Sequence, residues 1–329
     1  MHALITGATG FIGARLSEKL AGSGHDVVAF GAENTPVEAE RRRALEARGI
    51  EVEIGRLADA ALLRRLARSA DTVFHLAAAQ HESNVGEDYF RAVNVDGTRT
   101  LLEACAEEGV ERFVYGSTIG VYGSARNGRL DETSATRPEN VYGVTKLEAE
   151  NVVRAWGAHL PCTIVRISET YGPGDGRLVK LFKLVDSGVV PIIGSGRNEH
   201  HPVYVDDLVA GLELSATRQE AIGETFVLAG KDVVRTLELV ELVAEALGKR
   251  LRSVKLPLTP LLLAALVCET GCRPLGISPP WHRRRLDFFV KRFSFKLDKA
   301  SSILGYRPAV SFGEGARETA AWYRAAGYL

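Results

Sequence analysis

The sequence predicts an α/β fold in which a doubly wound parallel sheet is followed by a smaller, mainly helical C-terminal domain. Short β-branched runs alternate with helical stretches over the first 170 residues, the pattern of consecutive β-α-β units. A glycine-rich turn joins the first run to the first helical stretch. After residue 171 a cluster of glycine and proline interrupts the alternation, and helical stretches dominate from residue 231 onward.

The predicted elements follow one another in a regular order. Runs rich in Val, Ile, Thr and Phe predict strands at residues 3–6, 27–30, 51–54, 72–76, 112–115 and 162–166. Helices are predicted at 12–23, 60–66, 89–107 and 141–156, with a further helix at 178–187 and a strand at 190–193. We therefore expect a first domain of residues 1–170 completed by a returning segment, 202–229. Residues 171–201 and 230–329 would form the second domain.

Composition excludes several classes of protein. The 329 residues include 41 basic and 41 acidic side chains, so the formal net charge is zero, which argues against a nucleic-acid partner. The four cysteines form no CxxC pair and have no histidine at ligand spacing. We therefore expect neither a disulfide scaffold nor a metal site, and a cytoplasmic location.

The sequence predicts no secretory signal and no transmembrane span, because no apolar window reaches roughly 18 residues. The longest apolar stretch, residues 256–268, has 13 residues and contains Pro257 and Pro260. It predicts either a buried helix or a helix that faces a membrane surface or a hydrophobic substrate.

Three glycines in the first turn indicate that the chain binds a dinucleotide. Gly7, Gly10 and Gly13 stand between an apolar strand and an amphipathic helix. Glycine permits a tight turn, lets the backbone approach a pyrophosphate, and lets the helix pack closely with its N-terminal N–H groups facing the phosphates. This placement predicts a Rossmann-type dinucleotide site.

A tyrosine and a lysine on one predicted helix indicate acid–base chemistry. Tyr142 and Lys146 are four residues apart and share a helix face. An ammonium beside a phenol, together with a positively charged nicotinamide, predicts that the pKa of Tyr142 is lowered toward neutrality. Thr118, with Ser117 before it, follows a predicted strand, where a hydroxyl can hold a substrate oxygen. Taken singly, these patterns also fit an exposed helix and a polar turn.

In this order and spacing the three motifs resemble the extended branch of the short-chain dehydrogenase/reductase family, of the NAD-dependent epimerase/dehydratase type. Further matches cover the whole chain: VFHLAA at 73–78, NVDGTRTLLEA at 94–104, YGPGD at 171–175, VYVDDL at 203–208 and LGYRP at 304–308.

The resemblance implies reversible hydride transfer between a nicotinamide and a secondary alcohol or ketone, with Thr118, Tyr142 and Lys146 as the catalytic trio. Ser117 would share the hydroxyl role, although it aligns one place early. The resemblance also implies a cofactor site made of Gly7, Gly10, Phe11, Ile12, Gly13, Arg56, Leu57, Leu76, Ala77, Ala78, Asn94, Tyr142, Lys146 and Ile167.

Two departures from the family pattern leave the choice between NAD and NADP open. Family members that prefer NAD usually end the second strand with an acidic residue, and this chain has Gly31 there. After the third strand, Arg56 stands where the family has an aspartate. The arginines at 41–43 predict either a site that tolerates a 2′-phosphate or a solvated helix face.

The substrate side departs further. Nucleotide-sugar epimerases of the family carry an asparagine and an arginine where this chain has Glu169 and His200. A carboxylate near a diphosphate is unfavourable, and the C-terminal third resembles 3β-hydroxysteroid and sterol dehydrogenases. We therefore expect an oxidoreductase for a hydrophobic, sterol-like hydroxyl compound that is not a nucleotide, contacted by His81, Glu169, His200 and Arg283.

Two other functions stay open. One is a nucleotide-sugar epimerase or dehydratase with tightly bound NAD, in which the arginines at 283–285 would hold phosphate. The other is a non-catalytic NAD(P)-sensing regulator, against which the tyrosine–lysine pair argues. We expect a homodimer with a small-molecule substrate. The identity of the substrate and the direction of the reaction are not determined by the sequence.

Overall fold

The computed structural model describes residues 1–80, 85–124, 128–272 and 286–329. Its strands are β1 (His2–Thr6), β2 (Asp26–Gly31), β3 (Glu51–Ile54), β4 (Thr72–His75), β5 (Arg112–Thr118), β6 (Cys162–Ile167), β7 (Thr170–Tyr171), β8 (Val189–Ile193), β9 (Glu199–His200), β10 (Val203–Tyr204), β11 (Thr225–Leu228), β12 (Val234–Arg235) and β13 (Arg252–Leu256).

The helices surround these strands. They are α1 (Phe11–Gly22), α2 (Pro36–Glu46), α3 (Ala60–Ala67), α4 (Glu87–Arg91), α5 (Gly97–Glu107), α6 (Val141–Trp156), α7 (Val179–Asp186), α8 (Val205–Thr217), α9 (Thr236–Leu247), α10 (Leu258–Cys272), α11 (Asp287–Val290) and α12 (Phe312–Ala325). Two π-helical segments occupy Ala92–Asp96 and Ala300–Leu304, and short 3₁₀ turns occupy Ile119–Tyr122 and Gln219–Ala221.

Seven parallel strands form the central sheet in the order β11-β6-β5-β4-β1-β2-β3. The order reverses at β1, because β2 lies on one side of it and β4 on the other. In open parallel sheets, ligands bind outside the carboxyl ends of the strands at such a reversal. The predicted Rossmann-type α/β class is confirmed, and the glycine turn after β1 lies at the reversal.

Each face of the sheet is covered by a separate apolar core. Side chains from α1 and α8 cover one face and include Leu16 and Leu212. Side chains from α3, α5 and α6 cover the other face and include Leu63 and Val153. A third core joins α7, α9 and α12 in the C-terminal part of the chain. The division into two domains stays a prediction, since packing alone sets no boundary between them.

Two helical regions differ from the prediction. Helix α2 was not among the predicted helices because Leu45 is its only buried residue, so it lacks an apolar stripe. The local sequence nevertheless marks the start of α2, since Thr35 and Glu38 form a capping box on either side of Pro36. The helix predicted at 89–107 is interrupted by the π-helical segment Ala92–Asp96.

None of the helices in the described ranges is long and apolar enough to cross a membrane. The apolar stretch at 256–268 belongs mostly to α10. Its residues pack on Ile193 and Phe289 in a small core of their own.

Candidate active site

A cavity of about 290 Å³ lies where the helix carrying the predicted acid–base pair meets the carboxyl ends of the strands. It is lined by Gln80, Thr118, Ile119, Gly120, Gly123, Asn140, Tyr142, Glu169, His200, Phe288, Lys291 and Phe293. A larger depression of about 560 Å³, lined among others by His2 and Asp26, lies at the opposite ends of the strands. We take the smaller cavity as the site because parallel sheets bind ligands at their carboxyl ends.

The glycine turn beside this cavity has no room for side chains. Gly7 has a φ of +74°, and a Cβ there would lie 2.7 Å from the backbone nitrogen of Ala77. A Cβ on Gly13 would lie 2.3 Å from the carbonyl oxygen of Gly7. No side chain caps α1 at Gly10, so its first N–H groups remain available to an anion. These features fit the pyrophosphate of a dinucleotide.

The segment after β4 passes directly against this turn. The Thr6 hydroxyl accepts a hydrogen bond of 3.2 Å from the backbone N–H of Ala77. A Cβ on Gly7 would lie 2.8 Å from the carbonyl carbon of Leu76. The structure therefore brings Leu76, Ala77 and the adjoining Ala78 to the glycine turn, as the resemblance implies.

Asn94 connects the segment after β4 to α6, the helix that carries Tyr142 and Lys146. Its side-chain amide accepts a hydrogen bond from the backbone N–H of Ala79 and donates one to the Ala79 carbonyl, at 2.7 and 3.0 Å. The same amide donates to the hydroxyl of Thr145 on α6, at 2.9 Å. Asn94 lies in the π-helical segment, so this irregular turn fixes α6 relative to the cofactor groove.

Two of the three predicted catalytic residues, Thr118 and Tyr142, line the cavity, and Lys146 lies one turn further along the helix that carries Tyr142. Helix α6 begins after Asn140, whose side chain accepts a hydrogen bond from the backbone N–H of Gly143, and this cap places Tyr142 in the first turn. Lys146 is only 1% exposed, and its Nζ lies 4.1 Å from the ring centroid of Tyr115.

The chain's own groups do not lower the pKa of Tyr142, so the predicted lowering, which includes the charge of a nicotinamide, stays a prediction. Burial raises the pKa of Tyr142 to about 12, and the hydrogen bond with Thr118 and the charge of Arg177 oppose this shift only in part. Burial also lowers the pKa of Lys146 to about 7, while the charge of Glu150 opposes it. Desolvation penalises the charged form of each group and is the largest cause of both shifts.

Ser117 does not share the hydroxyl role of Thr118 in this arrangement. Neighbouring residues of a strand point to opposite faces, so Ser117 turns away from the cavity. It is 3% exposed, and its hydroxyl donates a 2.6 Å hydrogen bond to Glu150. Glu150 in turn accepts two hydrogen bonds from Arg166 on β6, at 2.9 and 3.0 Å.

Glu169 and His200, the two residues that depart from the family pattern on the substrate side, are in contact with each other. Nδ1 of His200 lies 3.2 Å from a carboxylate oxygen of Glu169. The other ring nitrogen of His200 lies 3.0 Å from the hydroxyl of Thr236 and 3.1 Å from the amide nitrogen of Asn198. The histidine is buried, whereas the Glu169 side chain is 39% exposed and lines the cavity. This fixed histidine therefore orients a carboxylate toward the substrate.

Three further residues of the predicted site, Arg56, Leu57 and Ile167, do not line the cavity. Leu57 is buried in the core between α3 and α5, and a Cβ on Gly97 would lie 2.8 Å from it. Arg56 is exposed. Ile167 ends β6 beside Thr118. His81 and Arg283 lie outside the described residues.

Two cations lie near the glycine turn: Arg41, from the run at 41–43 for which the sequence left a phosphate site open, and Arg177, which the sequence analysis did not single out. Arg41 donates hydrogen bonds to the carbonyl oxygens of Thr9 and Gly174, at 3.3 and 2.8 Å. The guanidinium of Arg177 lies 5.6 Å from the ring centroid of Phe11, the first residue of α1. Nothing in the sequence distinguished Arg41 from the other two arginines at 41–43. The only sequence signal for Arg177 was its place just after the YGPGD motif.

Comparisons with known proteins agree with this geometry. The model of the NAD dependent epimerase/dehydratase family matches residues 3–229. The dTDP-glucose 4,6-dehydratase of Streptomyces griseus is 31% identical over 335 residues, covering 98% of this chain and 94% of that protein.

Solved structures show the same fold over nearly the whole chain. The dTDP-glucose 4,6-dehydratase DesIV of Streptomyces venezuelae, crystallised with NAD, is 29% identical with a TM-score of 0.80, covering 99% of this chain and 97% of that one. The UDP-glucuronic acid 4-epimerase of Bacillus cereus, at 24% identity and a TM-score of 0.80 over 99% and 100% of the two chains, supports the fold alone. The glycine turn, the catalytic helix and the family match together lead to one conclusion: this chain belongs to the NAD-dependent epimerase/dehydratase family, the extended short-chain dehydrogenases/reductases.

Proposed function

We propose that the chain is a nucleotide-sugar epimerase or dehydratase that oxidises a sugar carbinol with NAD and returns the hydride to the same substrate. Two of the relatives named above are dTDP-glucose 4,6-dehydratases, which favours this function over the sterol-like alcohol expected from the sequence. The observation that carries the proposal is a cavity lined by Thr118 and Tyr142 at the same edge of the sheet as the glycine turn.

The residues that would hold NAD are those of the glycine turn and its surroundings. The first N–H groups of α1 would bind the pyrophosphate, with Arg41 and Arg177 adding positive charge on the same side. When bound, the nicotinamide supplies an acceptor and donor of hydride. Lys146 is buried next to Tyr142 and would hold a ribose hydroxyl, the role that the resemblance assigns to it.

Tyr142 would handle the proton that accompanies hydride transfer. With its pKa raised, the neutral phenol is ready to donate a proton to a carbonyl oxygen. In the oxidising direction the phenolic oxygen would take the hydroxyl proton, and the charge of Arg177 would stabilise the phenolate that accepts it. Thr118, which lines the same cavity as Tyr142, would orient the reacting oxygen.

A second candidate, oxidation of a hydrophobic alcohol that is not a nucleotide, has one observation in its favour. Glu169 places a carboxylate in the cavity, and Ile119, Phe288 and Phe293 line it with apolar surface. A carboxylate repels a diphosphate in a partly desolvated cleft, although a protonated His200 would offset its charge. A regulator that only senses NAD(P) is disfavoured because binding alone does not require Tyr142 and Lys146.

The experiment is a substrate screen with two readouts. Purified protein is incubated with NAD and with UDP-sugars, dTDP-sugars or sterol-like alcohols. Absorbance follows reduced nicotinamide, and NMR follows the carbohydrate. Conversion of a nucleotide sugar without net accumulation of reduced nicotinamide would support the proposal. Stoichiometric reduction by a hydrophobic alcohol, with nucleotide sugars inert, would favour the second candidate.

The choice of cofactor gives a separate prediction, set by Thr9 and Gly31. A Cβ on Gly31 would lie 2.5 Å from the Thr9 hydroxyl, which donates to the carbonyl of Ala32. Thr9 therefore fills the space that a side chain at position 31 would need. With no carboxylate there to recognise a 2′-hydroxyl or to repel a 2′-phosphate, we expect NAD and NADP to bind with dissociation constants within about tenfold of each other.

The double variant Thr9→Ala/Gly31→Asp tests this prediction by calorimetry. The new carboxylate should shift the ratio of the two dissociation constants toward NAD by about tenfold or more, since it adds a charged hydrogen bond and repels phosphate. Thr9→Ala alone is the matched control. A wild type that already rejects NADP by a thousandfold, or a double variant with an unchanged ratio, would contradict the assignment.

A further inference from the structure

Helix α10 is apolar on two sides. Its inner residues Leu261, Leu262 and Ala265 pack in a small core with Leu286 and Phe289. One packed stripe is what a helix on the surface of a globular protein needs, and the opposite side normally carries polar residues.

The outer side of α10 carries a second apolar stripe instead. Leu263, Leu266 and Val267 are 57%, 41% and 69% exposed. Their spacing of i, i+3 and i+4 places them on one face. No residue from 256 to 268 carries a charge. Contiguous exposed apolar surface of this kind marks a contact with something apolar.

Three cations lie at the N-terminal end of this helix. Arg250, Arg252 and Lys255 are exposed. Within the described part of the chain, none of the three forms an ion pair. Arg252 and Lys255 belong to β13, which precedes α10 by a single residue, Pro257.

We propose that α10 docks the enzyme on an anionic membrane surface. The stripe of Leu263, Leu266 and Val267 enters the apolar boundary of one leaflet, and the three cations contact the lipid headgroups. Interfacial helices combine these two elements, an apolar face and flanking Lys or Arg, without the length needed to span. A second copy of the chain fits less well, because its own residues 256–268 carry no charge and offer these cations no complementary anion.

Docking through α10 would bring the active site close to the membrane. Phe289 packs on α10, and the adjacent Phe288 lines the cavity that contains Tyr142. The enzyme would therefore work next to the membrane surface. This inference is independent of which alcohol the site converts.

The test uses the full chain and vesicles of phosphatidylcholine with or without phosphatidylglycerol. We expect the wild type to float with the anionic vesicles and to remain in solution with phosphatidylcholine alone. Leu263→Glu/Val267→Glu should reduce binding to anionic vesicles by more than about tenfold, because two carboxylates replace apolar contacts. Arg252→Gln/Lys255→Gln should reduce it by about fivefold for each cation.

Val37→Glu is the matched control, since Val37 is an exposed valine of α2, 43% exposed. It should bind vesicles as the wild type does, and the melting temperature of each variant checks its folding. Failure of the wild type to bind anionic vesicles would overturn the proposal, as would equal binding by Leu263→Glu/Val267→Glu. Conversion of an oligomer to a monomer by the same double variant, without any vesicle binding, would assign the stripe to a second copy instead.

Discussion

Replacing Tyr142 by Phe is expected to reduce turnover by about a thousandfold, the range that a positioned acid–base group contributes. The phenolic oxygen is the only non-hydrogen atom removed, and Tyr142 lines the cavity together with Thr118. Formation of reduced nicotinamide should fail together with product formation, because the hydroxyl proton has no acceptor. Affinity for the dinucleotide, measured by calorimetry, should change by less than about threefold, since the phosphates are bound at the glycine turn.

Tyr89→Phe is the matched control for this variant. Tyr89 lies on α4 and is 41% exposed, and it does not line the cavity. Its turnover should equal that of the wild type. Residual activity of Tyr142→Phe within tenfold of the wild type would remove Tyr142 from the assigned role.

The second large effect concerns the buried ion pair between Arg166 and Glu150. The side chains of Arg166 and Glu150 are 4% and 0% exposed and are joined by two hydrogen bonds. Arg166→Met would leave the carboxylate buried without its main partner. We expect the free energy of unfolding to fall by about 3–5 kcal/mol, measured by urea denaturation, since breaking one side of a buried pair costs this much.

Arg154 provides a control that touches the same carboxylate. It donates a 2.7 Å hydrogen bond to Glu150, but its side chain is 41% exposed. Arg154→Met should cost less than about 1 kcal/mol, because water screens and replaces an exposed partner. The double variant Arg166→Met/Glu150→Gln should recover part of the loss, since no charge is left buried. Equal losses from Arg166→Met and Arg154→Met would contradict this interpretation.

The same pair predicts how stability depends on pH. Burial alone would raise the pKa of Glu150, but hydrogen bonds from Arg166, Ser117 and Arg154 and the charge of Arg166 lower it below its usual value. A carboxyl group whose pKa is lowered by folding stabilises the protein above its unfolded pKa of about 4.3, and this stabilisation is lost as the pH falls through the folded pKa. The stability difference between wild type and Arg166→Met should therefore be largest near neutral pH and shrink below about pH 4.

The sequence by itself determined the features that depend on local spacing. Alternating strands and helices give a parallel sheet, three glycines give the turn over which a pyrophosphate fits, and the four-residue interval between Tyr142 and Lys146 places both on one helix face. The family resemblance also followed from motifs in order along the chain. Helix α2 escaped prediction because only a capping box, and no apolar stripe, marked it.

The tertiary structure alone decided which charges meet and how deeply they are buried. It joined Glu169 to His200 and Glu150 to Arg166, and it brought Arg41 and Arg177 to the glycine turn. It also decided that the chain's own groups raise the pKa of Tyr142, because desolvation depends on the whole surrounding packing. Such contacts join residues that are distant in sequence. No local pattern encodes them, since the pairing exists only once the chain has folded.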